Sequence, residues 1–201
     1  MTSFFNVKNK KFVINWDEVF KIEEFKILKT IPQNPMWHYE NFVSNHIMYV
    51  ANYALEMFGN NSDNYLSRIM VLSAIFHDIG KGETTIYNNE KKSWSSPKHA
   101  DVGEKITKEL LRFWRYPPTI IEQICFFVKN HMKIFELYDN PNIKEELHKI
   151  ANERKDVICT IENLLKLKRC DCLGSIMTVE DGWREKLEEI RKVAISEKCY
   201  N

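Results

Sequence analysis

The stretch that decides the fold of this chain is Ile75-Phe76-His77-Asp78-Ile79-Gly80-Lys81-Gly82-Glu83-Thr84-Thr85. It ends an apolar run that begins at Ile69 and predicts a helix buried on most sides. The adjacent histidine and aspartate offer an imidazole nitrogen and an anionic oxygen, which together suit a catalytic transition-metal ion. We expect the two glycines to let the backbone approach a ligand, and the lysine and threonines to hold a phosphate. Because one His-Asp pair is more often only a hydrogen-bonded helix end, the rest of the chain must decide.

Composition limits the class of protein before any motif is used. The chain has 201 residues, of which 44% are hydrophobic, and this fits one domain with a substantial core. Its net charge of +1 is too small to indicate a strongly positive surface that would bind extended nucleic acid or an anionic membrane. The sequence contains no apolar run of membrane-span length, no signal-peptide layout and no Cys-x-x-Cys pair. We therefore expect a soluble, cytoplasmic protein with neither a zinc ribbon nor a disulfide scaffold.

Helical periodicity predicts an all-α bundle in a single domain. Residues 1–30 form a short N-terminal extension, 31–175 the core that carries the site, and 176–201 a C-terminal helix. Within the extension we expect a strand at Lys11–Ile14 and two short helical pieces packed on the outside of the bundle. Two prolines predict an ordered loop at 31–40, and a polar composition predicts another loop at 87–97.

The apolar stripes give approximate positions for the helices of the bundle. They predict helices at 42–58, 66–78, 119–131 and 155–175, others that begin at His99 and Trp183, and a polar helix after Asn142. A stop-and-turn pattern at 59–64 ends the first of these. Pro118 suits a helix N-terminus.

Six candidate metal ligands fall at helix ends or on inward faces: His46, His77, Asp78, His99, His131 and Asp171. A buried ionised carboxylate is costly unless it is paired, hydrogen-bonded or bound to a metal. Each residue has an ordinary structural explanation; Asp171, for example, could pair with Arg169 or Lys168. Six such coincidences in one bundle are less probable than six ligands, and we favour a metal site.

The order histidine, His-Asp, aspartate (His46, His77-Asp78, Asp171) resembles the HD superfamily of metal-dependent phosphohydrolases. His99 and His131 match the additional histidines of its members that have a two-metal site. The resemblance covers residues 31–174 and implies an all-α HD-domain bundle that hydrolyses phosphoesters.

One branch of that superfamily is more similar than the others. Pro32-Gln33-Asn34-Pro35-Met36-Trp37-His38-Tyr39-Glu40 resembles its Pro-Gln-x-Pro-x-Trp-His-x-Glu motif, and the branch includes the HD domains of bacterial tRNA nucleotidyltransferases and of HD-type RNA end-healing polynucleotide kinases. The segments around Lys81 and Thr84, from His99 to Gly103, and Arg169-Cys170-Asp171-Cys172-Leu173-Gly174 match it too. Asn41 departs from the glycine usual there, and no polymerase or kinase domain accompanies the motif in these residues.

The resemblance implies a role for each candidate residue. His46, His77, Asp78 and Asp171 hold a first metal, with Asp78 bridging if there are two, whereas His99 and His131 complete a second site or contact the phosphate. Asp78 and Lys81 are the predicted catalytic residues, and Lys81 and Thr84 bind phosphate oxygens. His38 and Glu40 contact the substrate or support a ligand. Apart from the resemblance, we expect the Trp37-His38 pair to stack a terminal base if it lines the mouth of the site. Nitrogen and oxygen donors favour one or two ions of Mn, Fe, Co, Ni or Mg.

The leading functional hypothesis is a 2′,3′-cyclic phosphodiesterase or phosphomonoesterase acting on nucleotides or RNA ends. A second hypothesis is an HD enzyme that hydrolyses nucleoside 5′-monophosphates, guanosine tetraphosphate or a cyclic dinucleotide. A third is a non-catalytic nucleotide-binding helical module. We expect a nucleotide or RNA-end phosphoester as partner, no membrane and no extended nucleic-acid surface, and the sequence indicates no oligomeric state.

Overall fold

The computed structural model describes residues 5–8, 11–59, 64–153, 160–175 and 182–199. Its elements in chain order are β1 (Phe5–Lys8), β2 (Lys11–Ile14), α1 (Trp16–Val19), α2 (Glu23–Lys26), a 3₁₀ turn (Ile27–Lys29), α3 (Val43–Phe58), α4 (Tyr65–Phe76), α5 (Lys81–Thr84), β3 (Ile86–Asn88), β4 (Ser93–Ser95), α6 (His99–Phe113), α7 (Pro118–Asn130), α8 (Lys133–Glu136), α9 (Ile143–Glu153), α10 (Ile161–Gly174) and α11 (Trp183–Ser196). The strands pair as two antiparallel hairpins, with Phe5 opposite Ile14 and Ile86 opposite Ser95. The prediction of an all-α fold is confirmed.

Helix α4 lies at the centre of the bundle, and nine of its twelve residues are buried, seven of them apolar. The Asn64 side chain accepts a hydrogen bond from the Ser67 backbone N–H at 3.2 Å and so begins the helix. Helices α3, α7 and α10 pack against α4, and α6 packs against α7. After Phe76 the chain tightens into turns in which the N–H of residue i+3 bonds the carbonyl of residue i. The His-Asp pair is thereby held in the interior.

The N-terminal extension helps to form the core, although it was predicted to pack outside the bundle. Val19, Phe25 and Leu28 are fully buried. The rings of Phe25 and Phe76 meet edge to face with 5.2 Å between centroids. The predicted strand is present as β2, and the two helical pieces are α1 and α2. The secondary structure of the extension was predicted correctly. Its burial was not, because it depends on contacts with α4, which is distant in the sequence.

Residues 86–95 form a hairpin where the polar composition of 87–97 had predicted a loop. The rings of Tyr87 and Trp94 contact each other across its strands, with 5.0 Å between centroids. At its base the hydroxyl groups of Thr85 and Ser96 hydrogen-bond at 2.8 Å. Cross-strand aromatic pairs stabilise antiparallel strands, and this pair stabilises a hairpin whose turn consists of polar residues.

Gly80 and Gly82 allow protein segments, not a ligand, to approach the backbone. A methyl group on Gly80 would overlap the carbonyl of His99 and lie 2.6 Å from the Gly103 nitrogen. One on Gly82 would lie 3.1 Å from the side chain of Ile27. The expectation that these glycines make room for a ligand was therefore wrong. Gly80 instead lets the turn after α4 touch the start of α6.

Parts of three predictions lie outside the described residues. The turn predicted at 59–64 includes residues 60–63, the helix predicted at 155–175 begins within 154–159, and the C-terminal segment includes 176–181 and 200–201. In the described chain α10 begins at Ile161, where the Thr160 hydroxyl accepts a hydrogen bond from the Asn163 N–H at 3.2 Å. None of the described helices combines the length and the apolar composition that crossing a membrane requires.

Candidate metal centre

Six side chains from separate segments of the chain converge in the middle of the bundle. They are His46 on α3, His77 and Asp78 in the turn after α4, His99 at the start of α6, His131 directly after α7 and Asp171 on α10. None is more than 8% exposed. The structure therefore brings together all six residues that the sequence suggested as ligands.

The first triad consists of His46, His77 and Asp171. The His46 Nε2 atom lies 2.9 Å from Asp171 Oδ1 and 3.3 Å from His77 Nε2. His77 Nε2 lies 3.7 Å from the same Asp171 oxygen. Gly174 makes this possible, because a methyl group there would overlap the Val50 side chain and keep α10 away from α3.

The second triad consists of Asp78, His99 and His131. The Nε2 atoms of the two histidines are 3.2 Å apart, and they lie 3.3 and 3.7 Å from Asp78 Oδ1. The other oxygen of Asp78, Oδ2, faces the first triad, at 3.6 Å from His46 Nε2 and 3.4 Å from His77 Nε2. Asp78 thus presents one oxygen to each triad, as a carboxylate bridging two ions would.

The hydrogen bonds of three histidines show which ring nitrogens remain available to an ion. The Nδ1 atoms of His77, His99 and His131 lie 2.7, 2.8 and 2.7 Å from the carbonyls of Ala74, Ser96 and Val128. A carbonyl only accepts, so each Nδ1 donates its proton there, and each Nε2 is the nitrogen that faces the donor cluster and can offer a lone pair to an ion. Ring nitrogens that converge this closely need a cation or a shared proton between them. The donor set therefore fits a divalent ion, or two.

Glu40 lies behind the first triad and makes it more negative. Its Oε1 atom lies 3.0 Å from His46 Nδ1, 2.6 Å from His38 Nδ1 and 3.0 Å from Gln33 Nε2. Burial opposes the charge of His46, but the carboxylates of Asp171 and Glu40 outweigh it and raise its pKa to about 9. Burial likewise opposes the charge of Glu40, yet its histidine partners lower its pKa to about 2. A metal bound here would displace the His46 proton from Nε2.

Each buried aspartate is also paired with a lysine. Lys81 Nζ lies 2.7 Å from Asp78 Oδ2, and Lys168 Nζ lies 2.7 Å from Asp171 Oδ2. Burial alone would raise the pKa of both carboxyl groups, but the lysine charges, helped by the neighbouring histidines, hold it well below the usual range. Both aspartates are therefore ionised and able to act as anionic ligands.

His131 differs from His46 because the cost of burying its charge outweighs the effect of the carboxylate beside it. Burial lowers the pKa of His131 to about 4, although Asp78 pulls in the opposite direction. This ring is therefore neutral at physiological pH, with its Nε2 lone pair ready to bind an ion.

The second triad and Asp171 lie on the wall of a cavity of about 640 Å³. Trp37, His38 and Lys81, which were predicted to contact a substrate, line it as well. Trp37 is 45% exposed, which leaves much of its ring accessible. The cavity lies within the size range of small-ligand sites.

Two predicted substrate residues do not reach this cavity wall. The Thr84 hydroxyl donates to the Gly80 carbonyl at 3.0 Å, within the short helix α5, and Thr84 is not among the described residues that line the cavity. Glu40 is only 4% exposed and faces the histidines. The structure therefore favours Glu40 as a support for His46, while the phosphate contact of Thr84 stays a prediction.

Gln33 and Lys168 have structural roles that their sequence context did not predict. Gln33 accepts a hydrogen bond from Lys81 Nζ at 2.7 Å and donates one to Glu40. It therefore joins the proline-containing loop to the turn that carries Asp78 and Lys81. Lys168 is only 7% exposed and lies one helical turn before Asp171. A lysine three residues before Asp171 on a buried helix face could have indicated a role in the site. From the sequence, Lys168 was considered only as an ion-pair partner of Asp171.

The departure at Asn41 has a conformational explanation. Asn41 has a φ of +68°, in the left-handed region that glycine adopts without strain. Asparagine is among the non-glycine residues that enter this region most readily. The carbonyl of Asn41 accepts from the Gln33 N–H at 2.9 Å, and the loop keeps its closed shape with asparagine in place of glycine.

Comparisons with known proteins agree with this geometry. A family model described as the HD domain matches residues 43–174, a range that includes all six donors. The chain is also 27% identical over 123 residues to the CC-adding tRNA nucleotidyltransferase of Thermus thermophilus. That alignment covers 60% of this chain but only 26% of the nucleotidyltransferase, so the chain spans a small part of this relative. Since the family match extends over most of the chain and its whole donor cluster, the chain belongs to the HD domain family, with a likeness to tRNA nucleotidyltransferases.

Proposed function

We propose that this protein is a metal-dependent phosphohydrolase that acts on nucleotide or RNA-terminal phosphoesters, as a 2′,3′-cyclic phosphodiesterase or a phosphomonoesterase. The observation that carries this proposal is the convergence of six buried nitrogen and oxygen donors, four of which line one cavity. Membership of the HD family implies metal-dependent hydrolysis in general. The choice of phosphoester is the part that we add.

The donor set suits one or two divalent ions of Mn, Fe, Co, Ni or Mg, because it offers imidazole and carboxylate but no thiolate. When bound, such an ion lowers the pKa of water from about 15.7 toward about 7 and polarises a phosphoryl oxygen. His46, His77 and Asp171 are the proposed holders of a first ion, and His99 and His131 of a second. Asp78 serves both.

Lys81 is placed to contact the phosphate beside the metal ligands. Its ammonium group lies between Asp78 Oδ2 and Gln33 Oε1, at 2.7 Å from each, and the side chain lines the cavity. These two contacts fix a positive charge at the edge of the donor cluster. An oxyanion of the substrate would meet that charge without a rearrangement of the lysine.

A nucleotide substrate is supported by the aromatic and polar groups of the loop that precedes α3. Trp37 lines the cavity and is accessible for stacking on a base, which typically contributes about 1–3 kcal/mol per base. His38 lines the cavity too, and its contact with Glu40 orients the ring. The likeness to a tRNA nucleotidyltransferase supports an RNA end over a signalling nucleotide.

The test is a panel of phosphoesters offered to the protein after loading with each candidate metal. It should contain 2′,3′-cyclic nucleotides, nucleoside 2′-, 3′- and 5′-monophosphates, guanosine tetraphosphate and a cyclic dinucleotide. We expect the fastest turnover with a cyclic phosphate or a 2′- or 3′-monophosphate. A preference for 5′-monophosphates, guanosine tetraphosphate or the cyclic dinucleotide would contradict the proposed substrate. Absence of turnover with every metal and substrate would leave a non-catalytic nucleotide-binding module.

A further inference from the structure

One wall of the cavity combines aromatic and cationic side chains. We call it the cation–aromatic wall, and it consists of Phe135, Tyr138, Lys168, Trp183, Arg184 and Lys186. Apart from Lys186, which lies behind Tyr138, all of these residues line the cavity. They come from α8 and the residues after it, from α10 and from the start of α11.

The contacts of this wall run from the donor cluster outward. Lys168 Nζ, which is bound to Asp171, lies 5.5 Å from the centroid of the Phe135 ring. The Phe135 and Tyr138 rings are 5.3 Å apart, and Lys186 Nζ lies 5.4 Å from the Tyr138 ring. On the same helix as Lys186, the Arg184 guanidinium lies 5.1 Å from the Trp183 ring.

Much of this wall is not explained by the family or by the metal site. Helix α11 begins at Trp183, after the end of the family match at residue 174. Phe135 is 50% exposed although it belongs to the cavity, and an accessible phenyl ring there contributes little to the core. Accessible aromatic rings interleaved with cations are typical of surfaces that bind single-stranded nucleic acid.

We propose that the cation–aromatic wall binds the nucleotides adjacent to the reacting phosphoester, so that the preferred substrate is a single-stranded RNA end and not a mononucleotide. This inference rests on the proposed function. Bases stack on the rings of Phe135, Tyr138 and Trp183, while Lys168 and Arg184 pair with phosphates. Lys168 marks the inner end of the wall, next to the donor cluster.

The bound segment is short because the wall is not uniformly positive. Glu185 lines the cavity beside Arg184, and Lys186 Nζ is paired with Asp139 Oδ2 at 2.7 Å. The net charge of the whole chain is only +1. A long strand requires many phosphate contacts, each of which steepens the salt dependence by about 0.7 in the log–log slope. We therefore expect about two or three contacts and a correspondingly shallow slope.

The inference is tested by binding, without any need for turnover. The probes are adenosine carrying a 3′-methylene phosphonate, which has a carbon–phosphorus bond in place of the ester bond, and the RNA dinucleotide and trinucleotide with the same end. Their dissociation constants are measured by calorimetry with the metal-loaded protein. We expect the dinucleotide to bind about 10-fold tighter than the mononucleotide, as one stacked base would give.

Two variants test whether the tighter binding of the dinucleotide depends on the cation–aromatic wall. Phe135→Ala and Arg184→Ala should each lower the ratio of mononucleotide to dinucleotide dissociation constants. The matched controls are Phe113→Ala, which removes an 81% exposed ring from α6, and Arg191→Ala, which removes an arginine paired with Glu188 further along α11. Thermal unfolding of each variant shows whether a change in the ratio accompanies a loss of stability.

The outcomes separate this inference from the proposed function. Equal affinity for the mononucleotide and dinucleotide, or a ratio that neither wall variant lowers, overturns the inference even if the wild-type protein hydrolyses cyclic phosphates. Conversely, a length advantage that disappears in Phe135→Ala or Arg184→Ala at unchanged thermal stability supports the wall even if no phosphoester of the panel is turned over.

Discussion

The two triads of the donor cluster contain the same kinds of side chain but balance their charge differently. In the first triad Asp171 is paired with Lys168, and the carboxylates around His46 raise its pKa to about 9 against the effect of burial. In the second triad burial lowers the pKa of His131 to about 4. His46 thus holds a proton at neutral pH, whereas His131 presents a free lone pair.

The groups behind the histidines account for this difference. The Nδ1 atom of His46 faces the ionised carboxylate of Glu40, whereas those of His99 and His131 donate to main-chain carbonyls. A carboxylate behind an imidazole makes it a more basic ligand than a carbonyl does. We therefore expect unequal sites, with a tightly held ion at the first triad and a more easily removed one at the second.

The largest effect should follow from Asp78→Ala, because Asp78 contributes an oxygen to both triads. Loss of this residue should remove bound metal from both and reduce kcat/KM by more than about 100-fold, beyond the usual effect of losing a group that only orients a ligand. Elemental analysis and turnover of the wild type and the variant measure both quantities. Equal metal content in the two proteins would refute the assignment.

A comparison of Asp171→Asn with His131→Ala tests whether the triads are unequal. Asp171→Asn removes the anionic oxygen of the first triad and should abolish turnover and lower metal content strongly. His131→Ala should remove about one ion and retain part of the activity, because the first triad stays intact. Metal content after dialysis against a weak chelator gives the stoichiometry. A wild-type value near one ion would instead assign His99 and His131 to phosphate binding.

Two glycine substitutions should disturb one triad each. Gly80→Ala places a methyl group against His99 and the second triad, whereas Gly174→Ala presses α10 away from α3 and affects the first. Each should lower the free energy of unfolding by about 1–3 kcal/mol, as overpacking does. Denaturant unfolding with and without metal measures this, and each variant is the control for the other. The same pattern of metal loss in both would contradict the separation into triads.

Glu40→Gln should weaken the first site while it leaves the second unchanged. The amide is nearly the same shape but carries no charge behind His46, and the loss of such a supporting group typically costs about 10–100-fold in metal affinity. Competition with a chromophoric chelator measures the two affinities. Glu188→Gln, on the exposed face of α11, is the matched control. Unchanged affinity at the tighter site would show that Glu40 does not tune His46.

The smallest of these effects is expected for Lys81→Ala. Its contact with Asp78 is a single ion pair outside the ring of nitrogen donors, and metal content should stay near that of the wild type. The loss of one charged contact to phosphate should raise KM by about 10-fold. Steady-state kinetics and elemental analysis test this, with the exposed Lys21→Ala as control. Loss of metal in Lys81→Ala would contradict the role proposed here.

The sequence alone determined the helical bundle and the candidate donors. Apolar residues at helical spacing predicted α3, α4, α6, α7 and α10, because burial of one face follows directly from the period of the helix. His46, His77, Asp78, His99, His131 and Asp171 lay at the ends or inner faces of those helices. Their chemistry was visible in residue type and position, without knowledge of any distance.

Tertiary structure alone decided how these groups are arranged and what surrounds them. The division into two triads depends on close helix approaches at Gly80 and Gly174, and the burial of the N-terminal extension depends on Phe76. The roles of Gln33 and Lys168 follow from contacts with residues on other turns and loops. Local patterns carry the period of an element but not the identity of its distant neighbours. For that reason Gly80 was interpreted as space for a ligand, although it accommodates the backbone of α6.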